Sequence, residues 1–180
     1  MSGVGQEQRR YAPFYCEENV WHLAKEGVGT DPSFVVFISN LQKSCALWAQ
    51  RAASSADMPV LWDYHVILVS APSEGALVWD LDTRLGFPVK LRDYLDGTFP
   101  FGEALRDTLL PRFRVLPAAT YLERFASDRS HMHEGDDWRA PPPEWPTIGE
   151  GMNLFDFVDT EREFEGVVGG LPWLRRLEWK

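Results

Sequence analysis

Cys16, in the stretch FYCEENVW (residues 14–21), sits between aromatic residues and the glutamate pair Glu17–Glu18 at what reads as a helix start. Unpaired backbone N–H groups and the helix macrodipole favour a thiolate at such a position. The same dipole favours Glu17 and Glu18, whose charges oppose thiolate formation, so a nucleophilic Cys16 needs a cationic partner. His65, in VLWDYHVILVS (60–70), is the natural one, because an imidazole can take a thiol proton and later deliver it to a leaving group. Asp80 or Asp82, in ALVWDLD (76–82), would hold the ring in one tautomer and stabilise the imidazolium. The alternatives are bland: a small buried cysteine, a satisfied core histidine, a hairpin aspartate.

Three elements must bring these side chains together. Val20, Trp21, Leu23 and Ala24 share a helical face, and Gly27 or Gly29 should end that helix. FVVFIS (34–39) reads as a buried strand, and CALWAQ (45–50) could continue a sheet or open a helix, with strand the preferred reading. The runs 60–70 and 76–82 flank the turn-rich APSEG, the signature of a β-hairpin. Pairing Ala71 with Ala76 sets His65 opposite Asp82 and diagonal to Asp80, whereas pairing Ser70 with Gly75 sets it opposite Asp80. Both registers put His65 and the two aspartates on one face, and the intermediate register would separate them. Downstream, LRDYL and ALRDTLL read as short helical pieces, FRVLP as a strand and YLERFASDR as a helix start or turn. DDWRAPPPEWP should be a loop without ladder bonding, and Asn153 with Asp156 resembles a capping box at the start of NLFDFV.

The chain of 180 residues, 44% of them hydrophobic, suits one folded domain, expected over residues 13–180 behind a polar arm at 1–12. A net charge of −9 argues against an electrostatic grip on nucleic acid or anionic lipid. The first ten residues lack an apolar h-region and no run approaches a membrane span, so a soluble protein of the cytoplasm or nucleus is expected. Two cysteines make no disulfide framework, and Cys45 reads as structural. Cys16, His22, Cys45, His65, His131 and His133 show no zinc spacing; His131 and His133 read as solvated or hydrogen-bonded. No Gly-rich phosphate loop is present, and neither metal nor organic cofactor is expected.

The strings FYCEENVW, FVVFISN, WDYHVIL, WDLDT, FASDRSHM, WRAPPP and MNLFDF, in this order, resemble the protein N-terminal glutamine amidohydrolase family over roughly residues 14–158. The resemblance implies a nucleophile, base and orienting acid at Cys16, His65 and Asp80, and so chooses between the two aspartates. It also implies a three-layer α-β-α sandwich around a mainly antiparallel sheet, similar to transglutaminases and papain-like cysteine enzymes. The implied reaction hydrolyses the side-chain amide of an N-terminal glutamine to glutamate through a thioester, releases ammonia, and feeds the N-degron route.

Acting only at a chain terminus requires an acceptor for the substrate's α-ammonium group. Glu17, Glu18, Asp63 and Asp128 are the candidates, with solvated carboxylates as the plain alternative. Proteins or peptides beginning with glutamine are the expected partners, and a monomer the expected state. Two other readings stand beside this one: a thiol enzyme of the same architecture acting on a different amide, and a non-catalytic module that binds amino termini.

Overall fold

Two seven-residue runs of β-branched and aromatic residues, Ser33–Ser39 (β1) and Tyr64–Ser70 (β4), pair antiparallel at the centre of a six-stranded sheet. The computed structural model describes residues 9–29 and 31–180. Naming Cys45–Leu47 β2, Val60–Trp62 β3, Leu77–Trp79 β5, Val89–Lys90 β6, Arg112–Pro117 β7, His133–Glu134 β8, Asp137–Trp138 β9 and Val167–Gly170 β10, the main sheet runs β10-β7-β1-β4-β5-β6. All its pairings are antiparallel, and β2 and β3 form a small separate ladder. The fold is thus mixed α/β around a mainly antiparallel sheet.

Both faces of β1 and β4 are buried because alternate side chains enter two different cores. Val35, Phe37, Val66 and Leu68 pack with Cys16, Val20 and Leu23 of the helix Cys16–Lys25 (α1). Tyr121 of the helix Ala118–Arg124 (α3) and Leu154 and Phe157 of Leu154–Val158 (α4) join them. Val36, Ile38, Ile67 and Val69 instead meet Tyr94 and Leu95 of Leu91–Thr98 (α2) and Leu171 and Leu174 of Leu171–Arg176 (α5). Among the described residues, no helix is long and apolar enough to cross a membrane.

α1 ends where expected, with Gly27 in the left-handed region at φ +67°. Of the arm expected at 1–12, residues 1–8 lie outside the described residues, and the remainder lies along α1. Asn19 receives the Ala12 N–H on Oδ1 and donates Nδ2 to the Ala12 carbonyl, both at 2.9 Å, and Arg9 pairs with Glu26 at 3.3 Å.

The hairpin takes the first of the two expected registers, with Ser70 opposite Leu77 and Leu68 opposite Trp79. The ladder stops there. Asp80 Oδ1 accepts the Asp82 N–H at 2.8 Å, an Asx turn that peels the chain away from β4 and leaves that edge of residues 64–67 without a β5 partner.

Two local expectations are corrected. Asn153 precedes α4 without capping it, because its amide is spent on Ala126 N–H and the Arg124 carbonyl, stitching α3's exit to α4. Asp137–Trp138 leave the Pro-rich loop to ladder with His133–Glu134, where the His133 and Trp138 rings approach to 3.9 Å. ALRDTLL is helical as expected, its Asp107–Leu109 forming a 3-10 turn that follows another at Gly102–Ala104.

Candidate active site

Cys16 is the first residue of α1, and no side chain caps that helix start. The N–H groups of its first turn therefore lack capping acceptors. β4 packs against this helix start, and the Val66 backbone N–H favours the charged form of the thiol. Burial pushes the thiol well above its ordinary range, the charges of Glu17 and Asp82 push the same way, and the Val66 N–H opposes them.

His65 precedes Val66 and so lies on the other face of β4, where its Cα partner on β1 is Ile38. Cys16 packs on the Val66 face of β4, and His65 projects from the other face of the same strand. His65 is fully buried, stacks on Trp62 with centroids 5.7 Å apart, and holds Nε2 3.1 Å from Asp80 Oδ1. Neither ring nitrogen makes a hydrogen bond, and because Nε2 faces Asp80, Nδ1 is the ring atom left for a thiol proton. Burial disfavours its charge, but Asp80 outweighs this and raises its pKa. Burial likewise disfavours charge on Asp80, yet His65 and the hydrogen bonds from Asp82 N–H and Tyr94 hold its carboxyl below the usual range. The Tyr94 hydroxyl donates to Asp80 Oδ2 at 2.8 Å.

The two aspartates are now distinct. Asp80 touches His65, while Asp82 receives the Tyr11 hydroxyl at 2.6 Å and has its pKa raised, chiefly by burial. His65, Asp80 and Asp82 are the group among the described residues whose donor atoms, all within 4.8 Å, could hold a metal. One nitrogen and two carboxylates suit a divalent cation. An ion there would compete with the Tyr11, Tyr94 and Asp82 N–H bonds that these oxygens already accept.

The expected substrate carboxylates divide. Glu17 and Glu18 are not solvated; both are fully buried. Glu18 meets Arg129 through two 2.8 Å bonds and also receives Trp145 Nε1–H at 2.6 Å, a structural clamp. Glu17 Oε2 accepts the Tyr64 hydroxyl at 3.0 Å and lies 3.7 Å from Cys16 Sγ, while its Oε1 is 3.5 Å from His131 Nε2. Asp63 is exposed and lines a cleft of about 310 Å³ together with Phe14, Cys16, Trp62, Tyr64 and His131. Asp128 is exposed and absent from that lining; its Oδ1 accepts the Ser130 N–H at 2.9 Å, just before the 3-10 turn Ser130–Met132 that carries His131. The turn's bonds to Asp128 lower its pKa.

Tyr64 and His131 belong to the site and were not among the candidates drawn from the sequence. Tyr64 lies on the strand face opposite His65, and His131 reads as solvated or hydrogen-bonded; only their presence in WDYHVIL and FASDRSHM could have flagged them.

A family model described as N-terminal glutamine amidase matches residues 11–177. A protein of Bos taurus named protein N-terminal glutamine amidohydrolase is 40% identical over 173 residues, covering 90% of this chain and 83% of its own. Proteins of the same name from Danio rerio and Homo sapiens are 43% and 40% identical, covering 82% and 84% of this chain and 78% of their own length each.

Proposed function

The chain belongs to the N-terminal glutamine amidase family, and on that premise we propose that it hydrolyses the side-chain amide of an N-terminal glutamine to glutamate, releasing ammonia and leaving the peptide bond intact. The observation that carries the reading is the buried His65–Asp80 pair on the strand against which the helix start bearing Cys16 packs.

In this mechanism His65 Nδ1 takes the Cys16 proton as Sγ attacks the carboxamide carbon. N–H groups of the uncapped first turn of α1, that of Cys16 included, hold the oxyanion. The imidazolium, stabilised by Asp80, protonates the amine as the C–N bond breaks, so ammonia leaves and a thioester remains. His65 then deprotonates water, which adds to the thioester; the C–S bond breaks, the proton returns to sulfur, and glutamate is released. Because burial and Glu17 keep the resting thiol protonated, proton transfer accompanies attack. Exposed Asp63, at the cleft rim, is the acceptor assigned to the α-ammonium group.

The remaining readings follow the same premise. Residues 13–180 act as one catalytic domain with a three-layer α-β-α arrangement like that of transglutaminases and papain-like enzymes, which the two cores on opposite sheet faces support. The protein works as a cytoplasmic or nuclear monomer, without metal or organic cofactor and without nucleic acid, supplying substrates to the N-degron route. Ammonia release from peptides beginning with glutamine, compared with the same peptides carrying an acetylated amino terminus, tests the reading. Equal rates on both would contradict it.

A further inference from the structure

A proton inventory of the cleft wall reaches beyond the triad. Glu17, as a carboxylate, only accepts hydrogen bonds, so the Tyr64 hydroxyl spends its single proton on Glu17 Oε2 at 3.0 Å. At the 3.3 Å contact between Tyr64 Oη and His131 Nε2, the tyrosine oxygen is therefore the acceptor, and Nε2 must carry the hydrogen. Glu17 Oε1, 3.5 Å away, favours the same assignment. In the uncharged imidazole this leaves Nδ1 as a lone-pair acceptor. His131 Nδ1 is buried and has no hydrogen-bond partner, on a ring that lines the cleft beside Cys16. An unpaired acceptor in such a place is costly unless a ligand supplies a donor.

We propose that His131 Nδ1 reads the substrate's carboxamide by accepting an amide N–H, and that Tyr64 and Glu17 serve it by fixing the Nε2–H tautomer. The inference rests on the proposed reaction. It assigns His131 a specificity role: glutamine offers the N–H that Nδ1 lacks, while the glutamate product brings only acceptors. The same contact sets the amide plane for attack and expels the product carboxylate. Glu17, immobilised behind Cys16, Tyr64 and His131, acts as a positioning residue.

Asparagine and glutamine substitutions separate this from a packing role. In His131→Asn the side-chain amide oxygen can take the place of Nδ1, whereas His131→Gln places its amide near the position of Nε2. The test measures binding of glutamine-initiated and glutamate-initiated peptides by calorimetry in a Cys16→Ala background, with ammonia release by the Cys16 forms in parallel. A buried acceptor left unpaired should cost the Gln/Glu affinity ratio roughly tenfold to a hundredfold. His131→Gln should lose that discrimination, His131→Asn should keep most of it, and Tyr64→Phe, which frees the tautomer, should fall between. Equal ratios in the His131→Gln and parent proteins, with ammonia release from N-terminal glutamine intact, would overturn the role of His131 alone. Absence of ammonia release by the wild-type protein would overturn the parent reading and this inference with it.

Discussion

Asp80→Asn is an informative perturbation because the surroundings of the carboxylate predict how it fails. Asp80 Oδ1 accepts the Asp82 N–H and lies 3.1 Å from His65 Nε2, and Oδ2 receives the Tyr94 hydroxyl. An asparagine can keep its oxygen at Oδ1 and turn its amide toward Tyr94, whose oxygen can accept. The His65 tautomer then survives, and the loss is that of charge alone. For charge centres about 4 Å apart at an effective dielectric of about 20, the imidazolium forfeits about 4 kcal/mol. At about 1.4 kcal/mol per decade, kcat should fall on the order of 10³-fold. The assay is ammonia release from a saturating glutamine-initiated peptide across pH 5 to 9. His65 has its pKa raised by Asp80, so removing that charge lowers it. The acid limb, where His65 must be unprotonated to act as base, should therefore move to lower pH in the variant. A kcat within threefold of wild type, or a larger loss in Asp82→Asn than in Asp80→Asn, would refute the assignment of Asp80.

Two further outcomes follow from buried charge. With the Cys16 thiol held above its ordinary range by burial and Glu17, alkylation by iodoacetamide should accelerate as pH rises through the alkaline range, and Glu17→Gln should move that rise to lower pH; a rate already at plateau below pH 7 would contradict this. Glu18→Gln leaves the Arg129 guanidinium buried without its counter-charge, and denaturant titration should show a loss of about 3 kcal/mol, whereas a loss below about 1 kcal/mol would mean that the clamp is incidental.

Local pattern made much of this site legible before any coordinates. The APSEG loop confined the hairpin to two useful registers, and the observed pairing of Ser70 with Leu77 is one of them. Glycines at 27 and 29 marked the end of α1, so Cys16 at its start was readable too. What was hidden depends on partners far along the chain. Glu17 and Glu18 look solvated because nothing near them in sequence pairs with them; Tyr64 hydrogen-bonds Glu17 from 47 residues away and Arg129 neutralises Glu18 from 111. The Asx turn at Asp80 ends the β5 ladder where the residue pattern would continue it. Asn153 misled for the opposite reason: its local spacing fits a cap, but Ala126 and Arg124 claim its amide first.

The central claim is that Cys16 converts an N-terminal glutamine to glutamate. Mass spectrometry of a peptide carrying one terminal and one internal glutamine tests it most directly, with the wild-type protein and a folded Cys16→Ala variant side by side. Conversion at the terminal residue alone, stoichiometric with ammonia and abolished in the variant, is the predicted result. Conversion of the internal glutamine, or undiminished turnover by Cys16→Ala, would contradict the account.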